Sequence, residues 1–228
     1  MIKSTEEENI IGSTTPGYVK NAQELAKHIY TEDEIERFRM DIAINNHPLA
    51  KKPTILRSKL AYRELLKNTK PTKKYLLPGQ VCLFNYLEPK YKEDLEYYDR
   101  TPLSLFFGIT RTNDGNIREI GINLHYYPPY ARSRILNTLY EVFKSHFVKN
   151  FNEVTGKPNM FISYKALKRL LKRNAKIAFG VKMYIPTLRQ QTYVIPTRLL
   201  GTAFYTEGNF SKATLAQIRK FWRQFRQL

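Results

Sequence analysis

The sequence predicts an α+β fold in which a small antiparallel sheet is flanked by several α-helices. Three observations carry that prediction: apolar residues follow a helical period as far as Asn68, a strand-like period replaces it between Tyr75 and Tyr127, and a helical period returns after Pro128 and Pro129. At 228 residues, with 42% hydrophobic and 13% aromatic content, the chain can bury the core of one or two domains, and wholesale disorder is excluded. It divides into an extended acidic and polar arm at 1–20, a helical region at 21–74, a core of β-meander plus long helix at 75–155, and a strongly basic region at 156–228 packed on that core.

The arm runs through Glu6, Glu7 and Glu8 to the turn-rich stretch from Gly12 to Gly17 and has no apolar period. Docking on a neighbouring subunit and simple fraying are both open to it. From Ala22 the pattern becomes helical, and Thr31-Glu32-Asp33-Glu34 has the form of a capping box, with Ile35, Phe38, Met40 and Ile42 supplying the apolar stripe. Pro48 stops this helix, because proline disfavours helix in the residue before it. A second run from Ser58 to Asn68 turns Leu60, Leu65 and Leu66 inward, and Pro71 closes it.

Three strand-like runs follow: Gln80 to Tyr86, Leu103 to Ile109, and Ile117 to Tyr126. Asn113-Asp114-Gly115-Asn116 between the second and third is a hairpin signal, and an SH3-like sheet or half-barrel is the expected result. Pro128-Pro129 opens a long helix with Ile135, Leu139, Val142, Phe143 and Phe147 toward the core, broken at 155–159. Ser163 to Arg173 reads as helix, Val181 to Tyr205 as β-prone chain interrupted by Pro186 and Pro196, and Ser211 to Gln227 as a last helix.

The formal net charge is +18, and it is unevenly spread. Residues 1–45 carry 5 Lys/Arg against 9 Asp/Glu, residues 46–155 carry 18 against 10, and residues 156–228 carry 15 against 1, that one acid being Glu207. So large an excess in the last third calls for an acidic partner, nucleic acid above all. Two stretches concentrate it. Lys165, Lys168, Arg169, Lys172 and Arg173 surround leucines 167, 170 and 171, and Arg219, Lys220, Arg223 and Arg226 lie between Leu215, Ile218, Trp222 and Phe225. Five cations in nine residues repel one another, which an acidic partner would offset. A solvated basic face and, for the aromatic stripe, plain core packing are the other readings. With no zinc-finger spacing, RRM-type aromatic motif or helix-turn-helix, contact with nucleic acid would be to the backbone, without base recognition.

Cys82 lies in an apolar Val-Cys-Leu-Phe run and reads as a buried small hydrophobe; a single cysteine forms no internal disulfide and fits a reducing compartment. Four scattered histidines, His28, His47, His125 and His146, give no metal-ligand spacing, and no cofactor motif is present. Neither a secretion signal nor a membrane span is predicted. There is no P-loop, Gly-rich dinucleotide turn or Gly-x-Ser-x-Gly elbow. Asp94, Glu96 and Asp99 could form the metal cluster of a nuclease, and His125 with Arg132 and Arg134 a phosphoryl-transfer site, although charged residues in a Tyr-rich loop are ordinarily solvated or salt-bridged.

Pro78-Gly79, Phe84-Asn85-Tyr86, Pro89-Lys90-Tyr91-Lys92, the run from Leu95 through Tyr97-Tyr98-Asp99-Arg100 to Leu103, the run from Gly121 through Asn123, His125 and Tyr126 to Pro129, and Arg132 form a pattern. It resembles a motif of small virion proteins of tailed bacteriophages. Its Tyr-Tyr-Asp and Gly-x-Asn-x-His-Tyr blocks are similar to those of contractile-tailed phage proteins that guard DNA ends or complete the head, and the Lys- and Asn-rich style is similar to that of crAss-like phages of gut bacteria.

The resemblance implies a non-enzymatic structural protein of the portal vertex or head–tail junction, made in the host cytoplasm and carried in the virion. Its partners would be portal, capsid or connector proteins, in a symmetric assembly of several copies, with the basic third facing packaged DNA or an acidic protein surface. A sequence-blind DNA-binding protein protecting genome ends is the second reading, and a metal-dependent nuclease the third. For Tyr97, Tyr98, Asp99 and His125 the residues also allow an internal network of satisfied hydroxyls and a buried histidine.

Overall fold

A computed structural model describes residues 47–72, 76–87, 98–148, 164–171, 175–211 and 214–223, together with 151–152, 157–158 and 162. The arm, the Thr31–Glu34 capping box and the helix behind it lie outside the described residues. The chain is an α+β fold.

Five strands form one antiparallel sheet: β1 (Val81–Tyr86), β2 (Leu103–Arg111), β3 (Ile117–Asn123), β6 (Val181–Tyr184) and β7 (Arg189–Val194), in the order β6-β3-β2-β1-β7. Two short segments, β4 (Phe151–Asn152) and β5 (Lys157–Pro158), pair apart from it. The helices are α1 (Thr54–Asn68), α2 (Pro129–Val148), α3 (Tyr164–Leu171), α4 (Ala175–Ala178), α5 (Leu200–Ala203) and α6 (Leu215–Trp222).

The sheet is buried on both faces, and strand alternation sorts its residues. Val81, Leu83, Leu103, Leu105, Phe107, Ile120 and Ile122 meet the helices, whereas Cys82, Phe84, Tyr86, Phe106 and Ile109 meet Leu76, Leu77, Tyr98 and Tyr184. Phe107 and Ile109 are two apart yet face opposite ways. The register shifts between Phe106 and Gly108, and the one extra residue of a bulge reverses the alternation beyond it. Gly108, at φ 144, supplies the backbone conformation.

The sheet is also curled. Tyr184 ends one edge strand and Arg189 begins the other, with a 3-10 turn at Pro186–Leu188 between them. Flat, the edges would lie about 19 Å apart at four strand spacings, and five residue steps span at most about 18 Å even fully extended. The sheet therefore bends into an open half-barrel. Its inner side is lined by aromatic rings, with Tyr184 edge-on to Phe84 at 5.2 Å and to Tyr86 at 5.3 Å. Arg189 closes the gap with a bidentate pair to buried Glu119, both contacts 2.9 Å.

Gly121 pairs with Phe106 where β3 lies against β2. A Cβ there would run into the Ser104 hydroxyl and stand 2.9 Å from the Leu105 carbonyl oxygen. Gly121→Ala is expected to lower stability by about 1–3 kcal/mol, the cost of overpacking, read as a fall in the urea midpoint at unchanged slope.

The hairpin forms at the expected turn, with Gly115 at φ 78. Elsewhere the structure corrects several expectations. The third strand ends at Asn123 rather than Tyr126, because the Asn123 side chain accepts from His125 N (3.0 Å) and caps a 3-10 turn at Leu124–Tyr126. In α1, which begins earlier than expected, Ser58, Ala61 and Leu65 form the buried stripe and Leu66 is 48% exposed, one 100° step off it. In α2, Leu136 and Tyr140 join Ile135, Leu139 and Phe143 inside while Val142 faces out. Residues 197–203 are 3-10 and α-helix, not β-prone chain. The last helix starts at Leu215 behind a Thr214–Gln217 capping box. Cys82 is buried, as expected, and desolvation pushes its thiol far above the ordinary range. No helix among the described residues is long and apolar enough to cross a membrane.

Candidate nucleic-acid interface and its buried support

The Tyr-Tyr-Asp and Gly-x-Asn-x-His-Tyr blocks, separate in sequence, meet in one buried cluster. Asp99 Oδ2 accepts from Asn123 Nδ2 and faces His125 Nδ1, both at 2.9 Å. Asp99 Oδ1 accepts from the backbone N–H groups of Thr101 (3.0 Å) and Asn209 (2.9 Å). His125 is wholly buried, with Nε2 2.9 Å from the Thr206 hydroxyl, which also lies 2.7 Å from the Ala203 carbonyl. Burial pulls His125 down more strongly than Asp99 pulls it up, so the ring is held below its usual range. Burial alone would raise Asp99, but His125, the Asn123 amide and the Thr101 N–H outweigh it and hold the carboxyl low.

Arg132 lies beside this cluster, fully buried. Its Nε donates to the Tyr127 carbonyl (2.9 Å), and its Nη1 to the carbonyls of Phe204 (2.5 Å) and Thr206 (2.6 Å), with the Trp222 ring 5.9 Å away. Burial pulls the guanidinium down to about 9, against the raising influence of Glu207, Tyr62 and Asp99.

Together these groups clamp residues 206–211. On one side the segment bonds to the Asp99 stretch, with Arg100 N to Asn209 O at 2.8 Å and Ser211 N to Tyr98 O at 2.9 Å. On the other side α1 holds it, Ser58 Oγ accepting from Glu207 N (3.1 Å) and Tyr62 donating to Glu207 O (2.9 Å). The basic helix α6 follows directly.

Asp99, Asn123, His125, Tyr98 and Tyr126 are buried, and Arg100 is exposed. Tyr98 donates to the carbonyls of Tyr86 (2.7 Å) and Leu87 (2.6 Å), and Tyr126 packs edge-on to Phe210 at 5.5 Å with Lys182 Nζ 4.4 Å from its centroid. Tyr97, Asp94 and Glu96 lie outside the described residues. Asp99 is no open metal ligand, because donors occupy both oxygens, and among the described residues no group of acids, histidines or cysteine has a metal-holding arrangement. His125 and Arg132 are buried while Arg134 is exposed, so the three form no open phosphoryl-transfer site.

Of the expected cations, Lys165, Arg169, Lys220 and Arg223 are exposed. Lys168 and Arg219 fall on α3 and α6, and Lys172, Arg173 and Arg226 lie outside the described residues. Leu167 and Leu171 anchor α3 in the core, and Ile218 buries the inner side of α6. The sequence reading missed a third basic surface, Lys59, Arg63 and Lys67 at four-residue spacing along exposed α1. That spacing was the available signal. Leu66 masks it in the sequence, because an apolar residue on that outer side reads as core.

The polar network is thus internal to the open α+β half-barrel, while Lys59, Arg63, Lys67, Lys165, Arg169, Lys220 and Arg223 are exposed on its helices. A family model described as Phage T4 terminal DNA protecting protein matches residues 14–195, and the chain belongs to that family. No curated protein and no solved structure matches it.

Proposed function

We propose that this chain is a structural virion protein of a tailed bacteriophage that binds and protects the ends of the packaged genome. The observation that carries the reading is the match to the DNA-protecting family over most of the chain, joined to exposed cations on three helices. Lys59, Arg63 and Lys67, Lys165 and Arg169, and Lys220 and Arg223 offer point charges to phosphate without a base-reading element, so attraction is sequence-blind. Binding should weaken steeply with salt, and a Lys165→Ala/Arg169→Ala variant should lower the slope of log affinity against log salt by roughly one unit for each phosphate contact removed. The full chain should also shield linear duplex from an exonuclease. Free digestion at saturating protein, or a salt slope near zero, contradicts the reading.

A portal-vertex location, in several copies contacting portal, capsid or connector proteins, is the finer form of the proposal. It is supported by Ile55 and Leu56 on α1, 64% and 46% exposed beside the basic row, a mixture suited to a protein neighbour. Mass spectrometry of intact and DNA-emptied particles tests it: a low fixed copy number in both is expected, and absence from both overturns the location.

A further inference from the structure

Between the β2–β3 hairpin and the start of α3 lies an open cleft of about 630 Å³, within the range of pockets that enclose small ligands. Its lining includes Arg111, Asp114, Tyr164, Lys165 and Met183. Met183 is 42% exposed on edge strand β6, an apolar side chain left open to solvent, and Tyr164 is half-buried. Arg111 and Lys165 are both exposed. The lining's acid, Asp114, is tied into its own turn by the Thr112 hydroxyl and the Asn116 amide, which hold its carboxyl down to about 2.

We infer that this cleft takes the terminal nucleotide of a DNA end, its base against Met183 and Tyr164 and its phosphates against Arg111 and Lys165. The inference rests on the DNA-end reading above and gives it a place. The interior of a duplex hides its bases in the stack, so an apolar and aromatic surface flanked by cations gains nothing from it. A frayed or overhanging end presents a free base face together with its phosphates, and base–aromatic stacking is tolerant of sequence because every base has such a face. The two cations complement the charge and outnumber the ionised carboxylate of Asp114, whose oxygens already accept from Thr112 and Asn116 within the turn. Elsewhere on the surface, the exposed cations of α1 offer attraction to any phosphate and no means of telling an end from the middle.

The test uses the full chain and two DNA probes of the same sequence, a linear duplex with single-stranded overhangs and a dumbbell closed at both ends. Wild type should prefer the linear probe. Arg111→Ala/Lys165→Ala should weaken the linear probe about tenfold more than the dumbbell, the equivalent of one lost end contact, the dumbbell losing only the general attraction of two cations. Met183→Ser, which removes no charge, should reduce the preference for ends and leave the dumbbell unchanged. Lys59→Ala/Arg63→Ala, which removes the same charge from α1, should weaken both probes alike. If the cleft variants behave like the α1 variant while wild type still prefers ends, the cleft is overturned and the end-binding reading stands. If wild type itself shows no preference for ends, both fall.

Discussion

Arg132→Ala is expected to abolish folding at 37 °C. The substitution strips the Tyr127, Phe204 and Thr206 carbonyls of their donor in a site closed to water. Each buried acceptor left without a partner costs about 1–3 kcal/mol, and the space of a whole guanidinium side chain opens beneath Trp222. The three acceptors alone come to roughly 3–9 kcal/mol, which with the cavity approaches the entire stability of an ordinary domain. Arg132→Lys should recover only part of it, since one ammonium cannot reach carbonyls disposed for a planar fork. Urea denaturation at low temperature reads the loss, and a change below about 1 kcal/mol would remove Arg132 from the role assigned to it.

Asp99→Asn should be the next most damaging change despite its matching shape. Asp99 accepts from donors at both oxygens. An asparagine has one acceptor oxygen, so whichever way its amide turns, its own N–H groups face the donors of the other pair. The expected loss is about 2–5 kcal/mol. The same cluster sets an acid sensitivity. His125 and His47 are both held below the ordinary histidine value, chiefly by burial. As pH falls through 6.5, the unfolded chain takes up protons that the folded one refuses. Stability is therefore complete above that pH and declines below it until the folded-state pKa is reached, at up to about 1.4 kcal/mol per pH unit for buried His125 and less for His47, whose exposure screens it. Asp99 adds a further decline only below the ordinary carboxylate value of 3.8. In Asp99→Asn, His125 loses the group that raised it, so its share of the decline should extend to lower pH. A wild-type stability flat from pH 7 to 5 would contradict this assignment.

The α+β class and the hairpin were legible because alternation and Asp114-Gly115 are local signals. The half-barrel's closing pair was not, since β7 returns to β1 from far along the chain and nothing near Arg189 announces Glu119. Buried Arg132 was equally opaque. In sequence it sits among arginines that favour a surface reading, and only its three backbone carbonyls, two of them beyond residue 200, justify its burial. Leu66 and Val142 show the limit of periodicity, because a residue one position from the stripe shares its composition and not its environment. The cations of α3 and α6 were visible as charge; the cleft beside Arg111 and Lys165 required the third dimension.

One consequence of the clamp concerns the order in which the protein is made. Asp99 and Asn209 are joined across 110 residues, and the β1 edge waits for β7. Closing such distant pairings is entropically slow. The half-barrel and its clamp cannot be completed until the chain through residue 209 has left the ribosome, so strands made early wait, one edge open, for a segment made more than a hundred residues later.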